Sequence, residues 1–181
     1  MNIFFLDLDP KKCAKYHCDK HISKMFLEAV QLLWSVWILT GNKATFEVKA
    51  IPIKPYKLIS NKNHPVAIWC RIHKNNYIYL TKLATELSKE YTLRYKRVHA
   101  CHSHLEWLKE NIPECNSTDF YKDDQILACV NIPDGCTDVP LAVPICYMYD
   151  DLIYSYREYY KGDKRRFAKW NYSTIPDWFE L

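Results

Sequence analysis

The chain has 181 residues, 49% of them hydrophobic, which suffices for one substantial core and falls short of two comfortable domains. Its formal charge of +4 admits an anionic partner without reaching the strongly basic balance that by itself demands nucleic acid. The 14 Tyr and 6 Trp exceed what a core of this size needs, so part of that complement is expected to line a surface or cleft.

The N-terminal run Asn2-Ile3-Phe4-Phe5-Leu6 reads as a short strand. It is too short for a signal peptide and lacks a basic flank and a cleavage site. No other stretch approaches the ~20 apolar residues of a membrane span, so an intracellular protein is expected, with its eight cysteines mostly reduced. Asp9-Pro10 places a capping residue before a proline, and residues 11–39 contain no Pro or Gly, predicting one long helix or two with a small break. Residues 43–63, with Pro52 and Pro55, read as an irregular connection with a short strand around 46–48. Asn63-His64-Pro65 repeats the cap-and-proline logic with Asn63 as N-cap, and residues 66–98 lack a breaker, predicting a second long helix. A shorter helix is expected over 101–111, mostly loop over 112–144, a third major helix over 147–161 ended by Gly162, and a further turn or two over 164–170. The expected fold is mainly α, a single-domain helical bundle over residues 1–181 with two long helices and at most a short N-terminal strand.

Within the first helical stretch, His17, His21, Lys24, Glu28 and Gln31 are separated by 4, 3, 4 and 3 residues, the spacing of one helix face. Most of the remaining circumference is apolar, as in a helix buried within a protein, so the stripe is expected to face a cleft. Two imidazoles, an amine and a carboxylate form a general acid/base set with a possible nucleophile. Burial would lower the pKa of Lys24 and free its lone pair. The plainer alternative is a Lys24–Glu28 i,i+4 pair with solvated histidines. Cys13, His17, Cys18 and His21, and again Cys101, His102 and His104, bring ligand types together, but there is no CxxC and no standard zinc spacing, so neither metal nor cofactor is expected.

A second wall is expected from Asn63 and His64, where the N-terminus of a helix favours an anion, together with Trp69, Arg71, Asn75 and Tyr77. Glu90, Arg94 and Arg97, at i, i+4 and i+7, with Tyr95, form either a binding set or a surface ion-pair ladder. Near the C-terminus, Tyr156, Tyr159, Tyr160, Phe167 and Trp170 interleave with Arg157, Lys161, Lys164, Arg165, Arg166 and Lys169. Such a pattern lets cations track phosphates while aromatic faces stack on bases; a core-facing aromatic stripe with a solvated charged face reads equally well.

Tyr16-His17-Cys18-Asp19-Lys20-His21 with Lys24 and Glu28, then Asn63-His64-Pro65-Val66-Ala67-Ile68-Trp69-Cys70-Arg71, then Glu90-Tyr91-Thr92-Leu93-Arg94-Tyr95, resemble a family of small proteins of tailed phages and large DNA viruses that is itself similar to pyrimidine-dimer DNA glycosylases. The resemblance implies an all-helical DNA-repair enzyme working inside the infected host cell, in its cytoplasm or nucleus. It implies a catalytic glutamate matched by Glu28, an Asn-His-Pro element matched by residues 63–65, and an aromatic, basic C-terminal segment matched by Tyr156-Arg157-Glu158-Tyr159-Tyr160-Lys161-Gly162. It also implies attack of an N-terminal amine on C1′ of a damaged nucleotide, giving a Schiff base and strand cleavage. The sequence departs from that pattern at position 2, because removal of an initiator Met normally requires a small second residue and here it is Asn2. Lys24 or Lys20 is then the expected amine. The alternatives are an enzyme or a non-catalytic binder acting on a free nucleotide in viral DNA metabolism. The expected partner is thus DNA or a nucleotide, with no membrane.

Overall fold

The computed structural model describes residues 2–40, 62–115, 117, 127–128 and 130–180. Among these residues there are seven α-helices: α1 Pro10–Tyr16, α2 Asp19–Leu39, α3 Pro65–Ile72, α4 Lys74–Tyr95, α5 His102–Glu110, α6 Leu152–Tyr159 and α7 Asp177–Glu180. Two short strands, β1 Leu127–Ala128 and β2 Val139–Pro140, pair antiparallel with Leu127 opposite Pro140. The protein is mainly helical, as expected. The strand expected around 46–48 lies outside the described residues.

Helix α2 is the centre of the fold and packs against α3, α4 and α5. It buries Ile22, Phe26, Leu32, Leu33, Trp34 and Trp37, joined by Phe5, Leu6, Trp69 and Tyr77. Contrary to the reading that no stretch approaches a membrane span, α2 has the length and composition to cross one. Its apolar residues are instead those that pack the core.

Three expectations are corrected, and the first helical stretch takes the second of its two expected forms, two helices with a small break. Residues 2–6 are not a strand; Phe4, Phe5 and Leu6 are buried side chains of a segment threaded through the core. The first helical stretch breaks at His17 and Cys18, both extended (ψ 135° and 161°). The second breaks at His73 (φ −148°, ψ 137°) and ends at Lys96, which has a left-handed φ of 55°. The third begins only at Leu152, after a 3-10 turn at Ile145–Tyr147, and Gly162 continues it as a π-helical turn, Tyr160–Lys164.

Neither break in the first two stretches involves Pro or Gly, and tertiary hydrogen bonds account for both. The Asn76 amide donates to Trp69 O and Thr137 Oγ1, both at 2.8 Å, and Asn76 Oδ1 accepts from Thr137 N at 3.0 Å. These bonds take up backbone groups that the end of α3 leaves over. His64, not Asn63, caps α3: its Nδ1 accepts from Val66 N at 3.3 Å. His73 and His99 use the same device toward Asn75 N and Cys101 N.

The break between α1 and α2 is held by Arg94, which lies inside the protein and forms no surface ladder. Its guanidinium donates to Lys15 O at 2.9 Å, His17 O at 2.8 Å, Asp19 Oδ1 at 3.1 Å and Glu90 Oε2 at 3.0 Å, with the side chain fully buried. The Arg94→Ala variant leaves two carboxylates and two carbonyls without their donor. Loss of about 3–5 kcal/mol of stability is expected, the range for a buried pair broken on one side, measurable as a fall in the urea midpoint at unchanged slope.

Candidate nucleic-acid repair site

A cleft of about 720 Å³ opens beside α2, lined by Lys20, His21, Lys24, Met25 and Glu28 on one side. Asn2, Phe4 and His64 form its floor and end, and Tyr159, Lys164, Arg166 and Phe167 come from the C-terminal segment. Four cationic side chains, Lys20, Lys24, Lys164 and Arg166, therefore surround a single lining carboxylate, Glu28.

The contact that organises the cleft lies at its floor. The backbone nitrogen of Asn2 donates to Glu28 Oε2 at 3.0 Å. Lys24 Nζ lies 3.9 Å from Glu28 Oε1, but the lysine side chain is 60% exposed, against 14% for the glutamate. The burial expected to activate Lys24 is absent, and the pair is the weak i,i+4 kind.

His21 is buried against Phe4, Phe167 and Tyr160, with ring centroids 4.9, 5.1 and 5.2 Å away. Its Nδ1 is buried without a hydrogen-bond partner. Burial, and then the positive charges around it, lower its pKa to about 3, so the ring is neutral at physiological pH.

The other expected residues divide by location. His17 lies at the helix break, buried, with Nδ1 2.7 Å from Cys13 O. Because a carbonyl only accepts, Nδ1 carries the proton and donates. Burial lowers this histidine's pKa to about 4, and it does not line the cleft; nor does Gln31. Asn63 is exposed at the turn before α3, whereas His64 lines the cleft end. Trp69, Arg71 and Tyr77 are buried: Trp69 Nε1 donates to Thr137 O, Arg71 Nη1 to Lys62 O and Tyr77 OH to Leu108 O. The exposed Asn75 amide donates to Gly135 O. Tyr95 OH donates to Asp19 O, and Arg97 Nε donates to Tyr91 OH. Arg157 Nε donates to Leu6 O and pairs with Asp7. The buried Tyr160 hydroxyl accepts from Cys18 N at 2.9 Å, and Trp170 Nε1 donates to Tyr16 O at 3.1 Å. Of the C-terminal residues singled out, the core takes Tyr160 and Trp170, while their neighbours Tyr159, Lys164, Arg166 and Phe167 face the cleft. The two candidate metal clusters are dispersed: His104 Nδ1 accepts from Trp34 Nε1, and His102 Nδ1 lies 3.2 Å from Ser88 Oγ. Among the described residues no three His, Cys, Asp or Glu side chains are placed to hold a metal ion.

Lys164 reaches the cleft because of the π-helical turn. The wider turn brings its Nζ within 2.7 Å of the Tyr159 hydroxyl and 4.1 Å from that ring's centroid, a cation–π contact. Gly162 permits this packing, since a Cβ there would collide with the Tyr147 hydroxyl, which donates to Asp163.

The family model described as pyrimidine dimer DNA glycosylase matches residues 1–110. The chain belongs to that family. No curated protein and no solved structure matches it. As a pyrimidine dimer DNA glycosylase family member it is a DNA-binding protein of glycosylase-like repair function. The family match covers Asn2, His21, Lys24, Glu28 and His64; the opposite wall, Tyr159 to Phe167, lies beyond it.

The neutral histidines give the protein a pH-dependent stability. His17 and His21 have folded pKa values of about 4 and about 3 against 6.5, so below pH 6.5 the unfolded chain binds protons that the folded chain does not. Their contribution is present above that pH and is lost as pH falls. By pH 5 each histidine is expected to remove about 2 kcal/mol. Urea unfolding at pH 7.5 and 5.0 reads the loss, and His17→Gln is expected to reduce it by about 2 kcal/mol.

Proposed function

We propose that the cleft at Glu28 is a glycosylase–lyase site acting on damaged pyrimidines in DNA, with the nitrogen of Asn2 as nucleophile once the preceding residue has been removed. The 3.0 Å contact from Asn2 N to Glu28 Oε2 carries the reading. In a chain that starts at Asn2 this nitrogen is a primary amine already seated on a carboxylate, the pairing of nucleophile and base that amine catalysis needs. The amine attacks C1′ of the damaged nucleotide. The glycosidic bond breaks, its electron pair leaves with the base, which takes up a proton, and Glu28 accepts the proton shed by the amine. Opening of the sugar ring gives an imine; loss of a C2′ proton then expels the 3′ phosphate, and water releases the protein.

The remaining lining residues suit that substrate. Lys20, Lys24, Lys164 and Arg166 meet backbone phosphates, while Phe167 and Tyr159 offer faces to an exposed base.

Borohydride trapping on duplex DNA with an abasic or dimer lesion tests the nucleophile. The chain beginning at Asn2 is expected to form a covalent adduct that peptide mapping places on residue 2. The chain retaining Met1 should form none, Lys24→Ala and Lys20→Ala should still be trapped, and Glu28→Gln should fail on the dimer. An adduct on Lys24, or equal trapping with Met1 retained, overturns the assignment. The salt dependence of binding tests the cationic wall: Lys164→Ala and Arg166→Ala are each expected to reduce the slope of log Kd against log salt by about 0.9.

A further inference from the structure

Chain ends fray unless something ties them down, and a reacting amine displaced by about 1 Å loses about a hundredfold in rate. Position 2 is tied down from several directions. The Asn2 side-chain amide donates to Ala142 O at 2.8 Å, and its Oδ1 accepts from Ile3 N at 2.8 Å and from the Tyr156 hydroxyl at 3.3 Å. The same hydroxyl accepts from Ala142 N at 3.4 Å, so Tyr156 joins the two groups that grip the asparagine. Its ring is fully buried, 5.8 Å from Phe4 and 5.6 Å from Phe5 between centroids, leaving the hydroxyl little freedom to wander.

We infer that Tyr156, acting through the Asn2 side chain and Ala142, is the positioning residue that holds the Asn2 nitrogen against Glu28. The inference rests on the proposed role of that nitrogen as nucleophile. It also assigns a purpose to an asparagine at a position where a small residue would favour processing. Only a side chain with both a donor and an acceptor, at this length, satisfies Ala142 O and the Tyr156 hydroxyl together. Serine and threonine are too short to span both, and aspartate loses the donor and adds a negative charge beside Glu28. The parts of this clamp, Ala142 and Tyr156, lie outside the stretch matched by the family.

The test uses full-length chains released from a cleavable N-terminal tag so that each begins at residue 2: the unmodified protein, Tyr156→Phe and Asn2→Ala. Three quantities are read on abasic duplex DNA: Kd by fluorescence anisotropy, the single-turnover rate of imine formation under borohydride, and the pH profile of that rate. Both variants are expected to bind within twofold of the unmodified chain and to form imine about ten- to a hundredfold more slowly. Their profile midpoints should move to lower pH, toward the value of about 7.7–8.0 of a free terminal amine, because the amine leaves the carboxylate that favours its charged form. Asn2→Ala removes the clamp from its half-buried side and so reports even if Tyr156→Phe folds poorly. Unchanged rates and profiles in both variants overturn the inference, as does a rate loss that merely follows weaker binding. If the unmodified chain traps on a lysine or not at all, the nucleophile assignment itself fails and the inference with it, an outcome distinct from trapping at residue 2 with no effect of the variants.

Discussion

The buried guanidinium of Arg94 is the constraint from which the rest of the molecule follows. A helix that stops at Tyr16 leaves carbonyls without donors, and a dry interior penalises each of them. Arg94 supplies those donors to Lys15 and His17 and pairs with Asp19 at the start of the next helix. The planar fork fixes the two helices relative to one another as well as satisfying them. The second oxygen of Asp19 then accepts from Asn171 N at 2.7 Å, and Asp19 N donates to Lys169 O at 2.8 Å. The C-terminal segment is thereby drawn across the break. One cluster thus orients Lys24 and Glu28 along α2 and brings Lys164 and Phe167 to face them.

The seven histidines of the chain show how one side chain serves unlike ends. His64, His73 and His99 accept from a backbone N–H two residues ahead, a task usually given to Asp, Asn or Ser. His17 does the reverse and donates to a carbonyl. Only His21 keeps a buried nitrogen without a partner at the edge of the cleft. Burial holds His17 and His21 neutral, which leaves the charge of the cleft to its lysines and arginine and to Glu28.

Much of the architecture was legible from residue types. Asp9-Pro10 and the long unbroken stretches announced the helices, and the Lys24–Glu28 spacing located the cleft wall. A small break in the first stretch was allowed for but its place was not legible, nor was the break at 73, because both are made by partners distant in sequence: Arg94, Tyr160 and Thr137. His17 entered the stripe only on the assumption of one continuous helix, and the break turns it into the core. In the C-terminal segment the interleaving of aromatics and cations does not reveal which aromatics face inward, since a π-helical turn shifts the face that a 3.6-residue period would choose. Asn2 gave no pattern at all. Its role depends on Glu28, Ala142 and Tyr156, which are 26, 140 and 154 residues away.

Those separations set an order of events during synthesis. At about 5–20 residues per second, the ribosome makes Ala142 on the order of 10 s after Asn2. Throughout that interval the first residues have no dock to occupy, and their backbone is open to whatever enzymes act on emerging chains. Once Tyr156 has followed and the helices close, the same nitrogen is gathered into the protein. Access to the amino end is thus set by time as well as by position, because the first residues wait for the late half of the polypeptide before they can dock.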